Sequence, residues 1–187
     1  MENIEEILNH TKTRMNKSLE SLHRELNGIR TGRASSALVE NISVEYYGTS
    51  TPINQLSSIT IPEARTIMIQ PWDKDILREI EKSVLRSDLG ISPSNDGDVL
   101  RINIPELTEE RRKEMVKLVG KKVESGHISI RNIRRDSLES LRSMERDGDI
   151  SQDESRRAQE NLQKITDSFT DKMGEVGKIK GTEVMET

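Results

Sequence analysis

The chain has 187 residues; 32% are hydrophobic, 33% are charged, and the formal net charge is −4. It contains no cysteine, which excludes disulfides and thiolate metal sites and points to a reducing compartment. No stretch approaches the ~20 apolar residues needed to span a membrane, and the acidic start Met1-Glu2-Asn3-Ile4-Glu5-Glu6 lacks the apolar run of a signal peptide; a cytoplasmic protein is expected.

So little apolar material suits long amphipathic helices, which bury a narrow stripe and leave the rest wet. Residues 2–30 read as the first of them. Ile4, Leu8, Thr11, Met15, Leu19, Leu22, Leu26 and Ile29 recur at a helical step, with Thr11 as the polar exception and Gly32 as the expected end. Residues 31–106 change character. Their apolar residues are β-branched and run in short blocks: Ile42-Ser43-Val44, Ile59-Thr60-Ile61, Thr66 to Ile69, and Val99 to Ile104. All five prolines (52, 62, 71, 93 and 105) punctuate this stretch. Asp73 to Ser87 reads as one amphipathic helix carrying Ile76, Leu77, Ile80, Val84 and Leu85.

Residues 108–146 read as a longer helix, with Thr108 as N-cap and Glu109 and Glu110 in its first turn. Val116, Val119, Val123, Ile130, Ile133, Leu141 and Met144 hold the register, and Gly126 and Ser137 fill two of its positions. After Gly148, a capping box of Ser151 and Glu154 opens a third helix with Ala158, Leu162, Ile165, Phe169, Met173 and Val176. The expected fold is α+β: an elongated three-helix bundle from residues 1–30 and 106–187, with a mixed α/β domain inserted at 31–105. Only two short crossings join them, so Thr31, Gly32, Pro105 and Glu106 are hinge candidates.

Catalytic signatures are missing. His10, His23 and His127 lack metal-ligand spacing, and no glycine-rich phosphate loop follows a strand. No metal, cofactor or enzymatic activity is expected. Residues 111–135 stand out instead, with nine Lys or Arg against two Glu. Most of these cations have an acidic neighbour three or four residues away: Lys113 has Glu109, Lys117 has Glu114, Lys121 has Glu124, and Arg135 has Glu139. Arg131 and Arg134 have none, nor does Arg30. Unpaired arginines suggest an external anion, because the guanidinium fork matches phosphate. Arg131, Arg135 and Arg142 share one flank of the helix, and Arg134 lies nearer the seam. The separation of this cluster from Arg111 calls for a large partner, and RNA fits better than a metabolite. The rival readings are a protein-binding adaptor bundle and a phosphate-handling enzyme.

The same residues carry a resemblance. Ile29-Arg30-Thr31-Gly32-Arg33-Ala34, Val44-Glu45-Tyr46-Tyr47-Gly48, Ser87-Asp88-Leu89-Gly90, Leu107-Thr108-Glu109-Glu110-Arg111-Arg112 and Ile130-Arg131-Asn132-Ile133-Arg134-Arg135-Asp136 follow in the order found in ribosome recycling factors. The chain resembles that family over nearly its full length. The resemblance implies an L-shaped, non-catalytic monomer with two flexible linkers. It implies binding to the large ribosomal subunit after termination, and separation of the subunits with elongation factor G and the GTP that this factor hydrolyses. The bundle would contact ribosomal RNA through Arg131 and Arg134, supported by Arg111, Arg30 and Arg33, with Arg135 beside them, and the small domain would swing and meet elongation factor G. Gly120 and Gly126 depart from the family, each at roughly 1 kcal/mol relative to alanine. Gly174, Gly177 and Gly181 are expected to weaken the end of the last helix.

Overall fold

The structure, a computed structural model, describes residues 3–186. Met1 and Glu2, at the start of the expected first helix and first domain segment, and Thr187, at the end of the last segment, lie outside the described residues. The chain divides into two compact units: the chain up to Ile29 with Glu114–Glu183, and Arg30–Lys113 with the segment from Val184. The sequence pattern places the second border at 105/106. In the structure the first turn of the long helix stays with the second unit. There Arg112 donates to the Leu107 carbonyl at 3.4 Å and to the Met185 carbonyl at 3.1 Å.

The first unit is a bundle of three helices. Helix α1 (Ile4–Asn27) starts at a capping box: the Asn3 side chain accepts from the Glu6 N–H, and the Glu6 carboxylate accepts from the Asn3 N–H, both at 2.9 Å. It stops at Gly28, not at Gly32; Gly28 still has right-handed helical angles and its N–H bonds to the Leu26 carbonyl. The buried face is Ile7, Thr11, Met15, Leu22 and Leu26. Ile4 and Leu8 are half-buried to either side of it.

Glu109–Arg146 forms the second bundle helix and Gln152–Met185 the third, numbered α4 and α5 because two helices of the second unit precede them. Thr108 Oγ1 accepts from the Arg111 N–H at 3.2 Å, as an N-cap should. At the start of α5, Ser151 Oγ accepts from the Glu154 N–H while the Glu154 carboxylate accepts from the Ser151 N–H and hydroxyl. These bonds hold the Glu154 carboxyl below its ordinary value, the Ser151 backbone bond contributing most. Gly174, Gly177 and Gly181 do not interrupt α5, which stays helical to Met185.

The irregular positions of the stripes meet one another. Thr11 and Ser137 are the polar members of two apolar registers, and both are buried, with their hydroxyl oxygens 2.6 Å apart. Thr11 also donates to the Ile7 carbonyl at 2.7 Å, and Ser137 to the Ile133 carbonyl at 3.0 Å. Two hydroxyl protons therefore serve three short contacts, and each hydroxyl keeps a partner whichever of the two donates to the other. Gly126 has the same kind of explanation: a Cβ there would lie 2.9 Å from Met173 Sδ. A Cβ at Gly177 would fall well inside contact with Val123 Cγ2. Helices α4 and α5 approach closely because these two positions lack side chains.

In the second unit, β1 (Ser43–Tyr46) and β2 (Thr49–Pro52) form a hairpin. Its two-residue turn, Tyr47-Gly48, has φ of +48° and +77°, as a primed hairpin turn requires. A second, antiparallel sheet has strand order β3-β4-β6-β5, from β3 (Ser57–Glu63), β4 (Thr66–Pro71), β5 (Ser94–Asn95) and β6 (Leu100–Asn103). The short α2 (Ile53–Leu56) leads into it. The helix expected over Asp73 to Ser87 is a 3-10 turn at Lys74–Ile76 followed by α3 (Leu77–Arg86). Ile76, Leu77, Ile80 and Val84 enter the core with Val44, Ile67, Ile69, Leu100 and Ile102, whereas Leu85 is exposed.

The packing of the bundle sets the sign of two groups of substitutions. Gly120→Ala and Gly174→Ala, where a Cβ meets open space, should each raise thermal stability by up to about 1 kcal/mol. Gly177→Ala should lower it, because stiff Val123 cannot yield and overpacking costs about 1–3 kcal/mol; equal melting shifts for all three would contradict the close-approach account. Thr11→Val and Ser137→Ala should each cost about 1 kcal/mol. Denaturant melts of the double variant should show less than the summed loss, since both changes remove one shared hydrogen bond.

Candidate RNA-contact face

On α4, at 100° per residue, Lys117, Lys121, Arg131, Arg135 and Arg142 fall within about 40° of a single line. The line runs ~37 Å along the bundle. All five side chains are exposed. The helix builds this stripe because its apolar residues occupy the opposite side, against α1 and α5.

The pairing along the stripe differs from the expectation. Arg131 is not free: its Nη2 lies 2.7 Å from Glu124 Oε1, seven residues back. The hydrogen bond from Arg131 is the main reason the Glu124 carboxyl is held below its ordinary value, with His127 adding a smaller attraction. Nor is Arg134 free; it is half-buried, and its Nε donates to Gln163 Oε1 on α5 at 2.9 Å. Arg135, expected to pair with Glu139, does not, because Glu139 is taken by Arg146 at 2.8 Å. Two-turn spacing returns a residue to nearly the same helix face, and long Arg and Glu side chains bridge it. The competition at seven residues overrides the pairing expected at three or four. Lys113 pairs with Glu109 as expected, at 2.8 Å.

Lys117, Lys121, Arg135 and Arg142 therefore have no ion pair among the described residues. The three-and-four rule assigns Lys117 and Lys121 acidic partners that they do not have. Tracking which carboxylate each cation must share would have found them. The neighbouring Asp136 is turned away from the stripe, paired with Arg14 of α1 at 2.9 Å.

The remaining candidates belong to the second unit. Arg30 Nη2 donates to the Asp88 carbonyl at 3.0 Å, so it too has a partner. Arg33 is exposed, and its backbone N–H lies 3.4 Å from Thr31 Oγ1. Arg111 is engaged as well. Gly32 has φ of +81°, a conformation that favours glycine. Pro105 and Glu106 lie in the extended segment between β6 and α4, where Glu106 pairs with Arg65. No group of three or more His, Asp or Glu that could hold a metal occurs among the described residues. Among the described residues no helix is long and apolar enough to cross a membrane.

Comparison with known proteins addresses the whole chain. The family model described as ribosome recycling factor matches residues 22–185. A ribosome-recycling factor of Dehalococcoides mccartyi is 51% identical over 181 residues, covering 97% of this chain and 98% of that protein. One of Halothermothrix orenii is 49% identical over 183 residues, covering 98% and 99%. The solution structure of a ribosome recycling factor aligns over 100% of both chains with a TM-score of 0.83 and 41% identity. A second structural match, with a TM-score of 0.70, 46% identity and coverage of 97% and 98%, belongs to models of the T. thermophilus ribosome recycling factor and E. coli elongation factor G bound to the E. coli post-termination complex. On a family match and relatives of this identity and coverage, the chain belongs to the ribosome recycling factor family.

Proposed function

We propose that this protein recycles ribosomes: it binds the post-termination ribosome on the large subunit and its ribosomal RNA, and with elongation factor G and GTP separates the subunits for reuse. The observation that carries the reading in this chain is the exposed cationic stripe of α4, four members of which have no ion pair among the described residues. Free lysines and arginines ~37 Å from end to end suit a long phosphate backbone better than a small anion. The family relative described with elongation factor G on the post-termination complex supports the same partners. The protein works in the cytoplasm as a monomer without catalytic activity of its own, GTP hydrolysis belonging to the elongation factor.

On this reading the RNA contacts are Arg135 and Arg142 with Lys117 and Lys121, the cations of the stripe without an ion pair among the described residues. Arg131 exchanges Glu124 for a phosphate on binding, and Arg134 takes a positioning role through Gln163. Arg33, Arg30 and Arg111 are supporting contacts from the second unit. We propose the hinge at Thr31-Gly32 and Pro105-Glu106, just inside the borders of the second unit, where neither helix nor strand holds the backbone.

The decisive experiment is co-sedimentation with large ribosomal subunits across a salt series. Arg135→Ala should weaken binding about tenfold or more, the usual loss for a charge-assisted hydrogen bond, and flatten the salt dependence. Its melting temperature should stay unchanged, because Arg135 has no internal partner to leave behind. If Arg135→Ala binds like wild type, the stripe is only a solvated face. In Arg131→Gln the Glu124 carboxyl should titrate at higher pH than in wild type, as followed by NMR; an unmoved Glu124 would show that the pair does not persist in solution. A disulfide engineered across the proposed hinge should leave subunit binding intact while abolishing splitting, and full splitting by the cross-linked protein would remove the need for a hinge.

A further inference from the structure

A second basic surface lies on another side of the bundle. Lys12 and Lys17 of α1 and Lys164 and Lys172 of α5 rim an open groove of about 750 Å³. None of these four ammonium groups has a carboxylate within 4.0 Å among the described residues. Glu20 is the single acid in the lining, and the Asn16 side-chain amide holds it at 2.7 Å. Lys164 is adjacent in sequence to Gln163, the partner of Arg134 on α4. One residue is a ~100° turn of the helix, so the groove opens away from the α4 face.

We propose that this α1/α5 groove is a further RNA-phosphate contact surface, gripping a strand separate from the one that α4 meets; this rests on the recycling reading above. The floor separates phosphate from an acidic protein helix as occupant. Ile165 is half-buried and Phe169 is only 8% exposed, so the floor offers little apolar side chain to a docked helix. A docked helix would find few side-chain pockets for its apolar residues, whereas a phosphate backbone needs only charge. Lysine suits it, because a point charge on a flexible stem follows a backbone without bidentate geometry. Lys172 is already placed, its Nζ 4.9 Å from the Phe169 ring centroid. Lys164 and Lys172 are ~12 Å apart along α5, room for more than one phosphate.

The test compares wild type with the triple variant Lys12→Gln, Lys164→Gln, Lys172→Gln for binding to large ribosomal subunits over a potassium chloride series. The log–log salt slope should fall by roughly 2, at ~0.7–0.9 for each phosphate that is no longer neutralised. Affinity at low salt should fall about tenfold or more, on top of the effect of Arg135→Ala, with thermal unfolding unchanged. The chain has no cysteine, so Ser168→Cys can carry a single tethered iron–EDTA within the groove. Radical cleavage of ribosomal RNA from that position is the expected result. An unchanged salt slope in the triple variant, or a tether that cuts no RNA, would overturn the groove while leaving the α4 reading in place. Wild type that fails to bind large subunits at any salt would overturn both.

Discussion

The bundle depends on how its helices interlock where the apolar stripes are interrupted. Each helix offers one narrow apolar seam, and a seam alone permits sliding by a turn. The buried hydroxyls of Thr11 and Ser137 pair in a single register, since a shift would leave each without the other in an apolar surround. Gly126 beneath Met173 and Gly177 beneath Val123 work sterically: only this alignment puts the missing side chains opposite the large ones. Polar and empty positions thus specify the arrangement that the leucines and isoleucines merely stabilise.

That register also decides which charges remain available. Arg14 reaches Asp136 and Lys122 reaches Glu25 only because α1 and α4 are aligned this way. Those cross-helix pairs, with the two-turn pairs Glu124–Arg131 and Glu139–Arg146, engage Asp136, Glu25, Glu124 and Glu139. Lys117, Lys121, Arg135 and Arg142 are left over. An acidic protein therefore presents a cationic face: its excess carboxylates lie elsewhere or are already engaged.

Much of the architecture is legible in the amino-acid order because periodicity is local. The three helices, the β-branched middle and the Ser151–Glu154 capping box are short-range patterns. The Asn3–Glu6 box is just as local, yet the helical period alone does not single it out. β2, Thr49–Pro52, cannot be found from hydropathy because it contains no large apolar residue; pairing with β1 makes it a strand. The site is only half legible. The position of the basic stretch is clear, but which cations stay free depends on competition. Glu124 can serve Lys121 or Arg131, and Glu139 can serve Arg135 or Arg146, and a rule stopping at four residues chooses wrongly both times. The Arg134–Gln163 contact joins α4 to α5, so no inspection of one helix reveals it.

The discontinuity of both units has a consequence for how the protein comes into being. Helix α1 ends at Asn27, while α4 starts at Glu109 and α5 at Gln152. During synthesis α1 emerges with its apolar face bare and must wait for most of the remaining chain before that face can be covered. In the second unit only the Arg112 contact with the Met185 carbonyl waits for the C-terminal segment. The core of the α/β unit, by contrast, lies wholly between Val39 and Ile104 and is complete long before α5 is made. Contacts so distant in sequence slow folding relative to a bundle joined by short loops, and the nascent chain is exposed to aggregation meanwhile. Helix α1 thus spends most of the synthesis of this sequence without the two partners that its apolar seam requires.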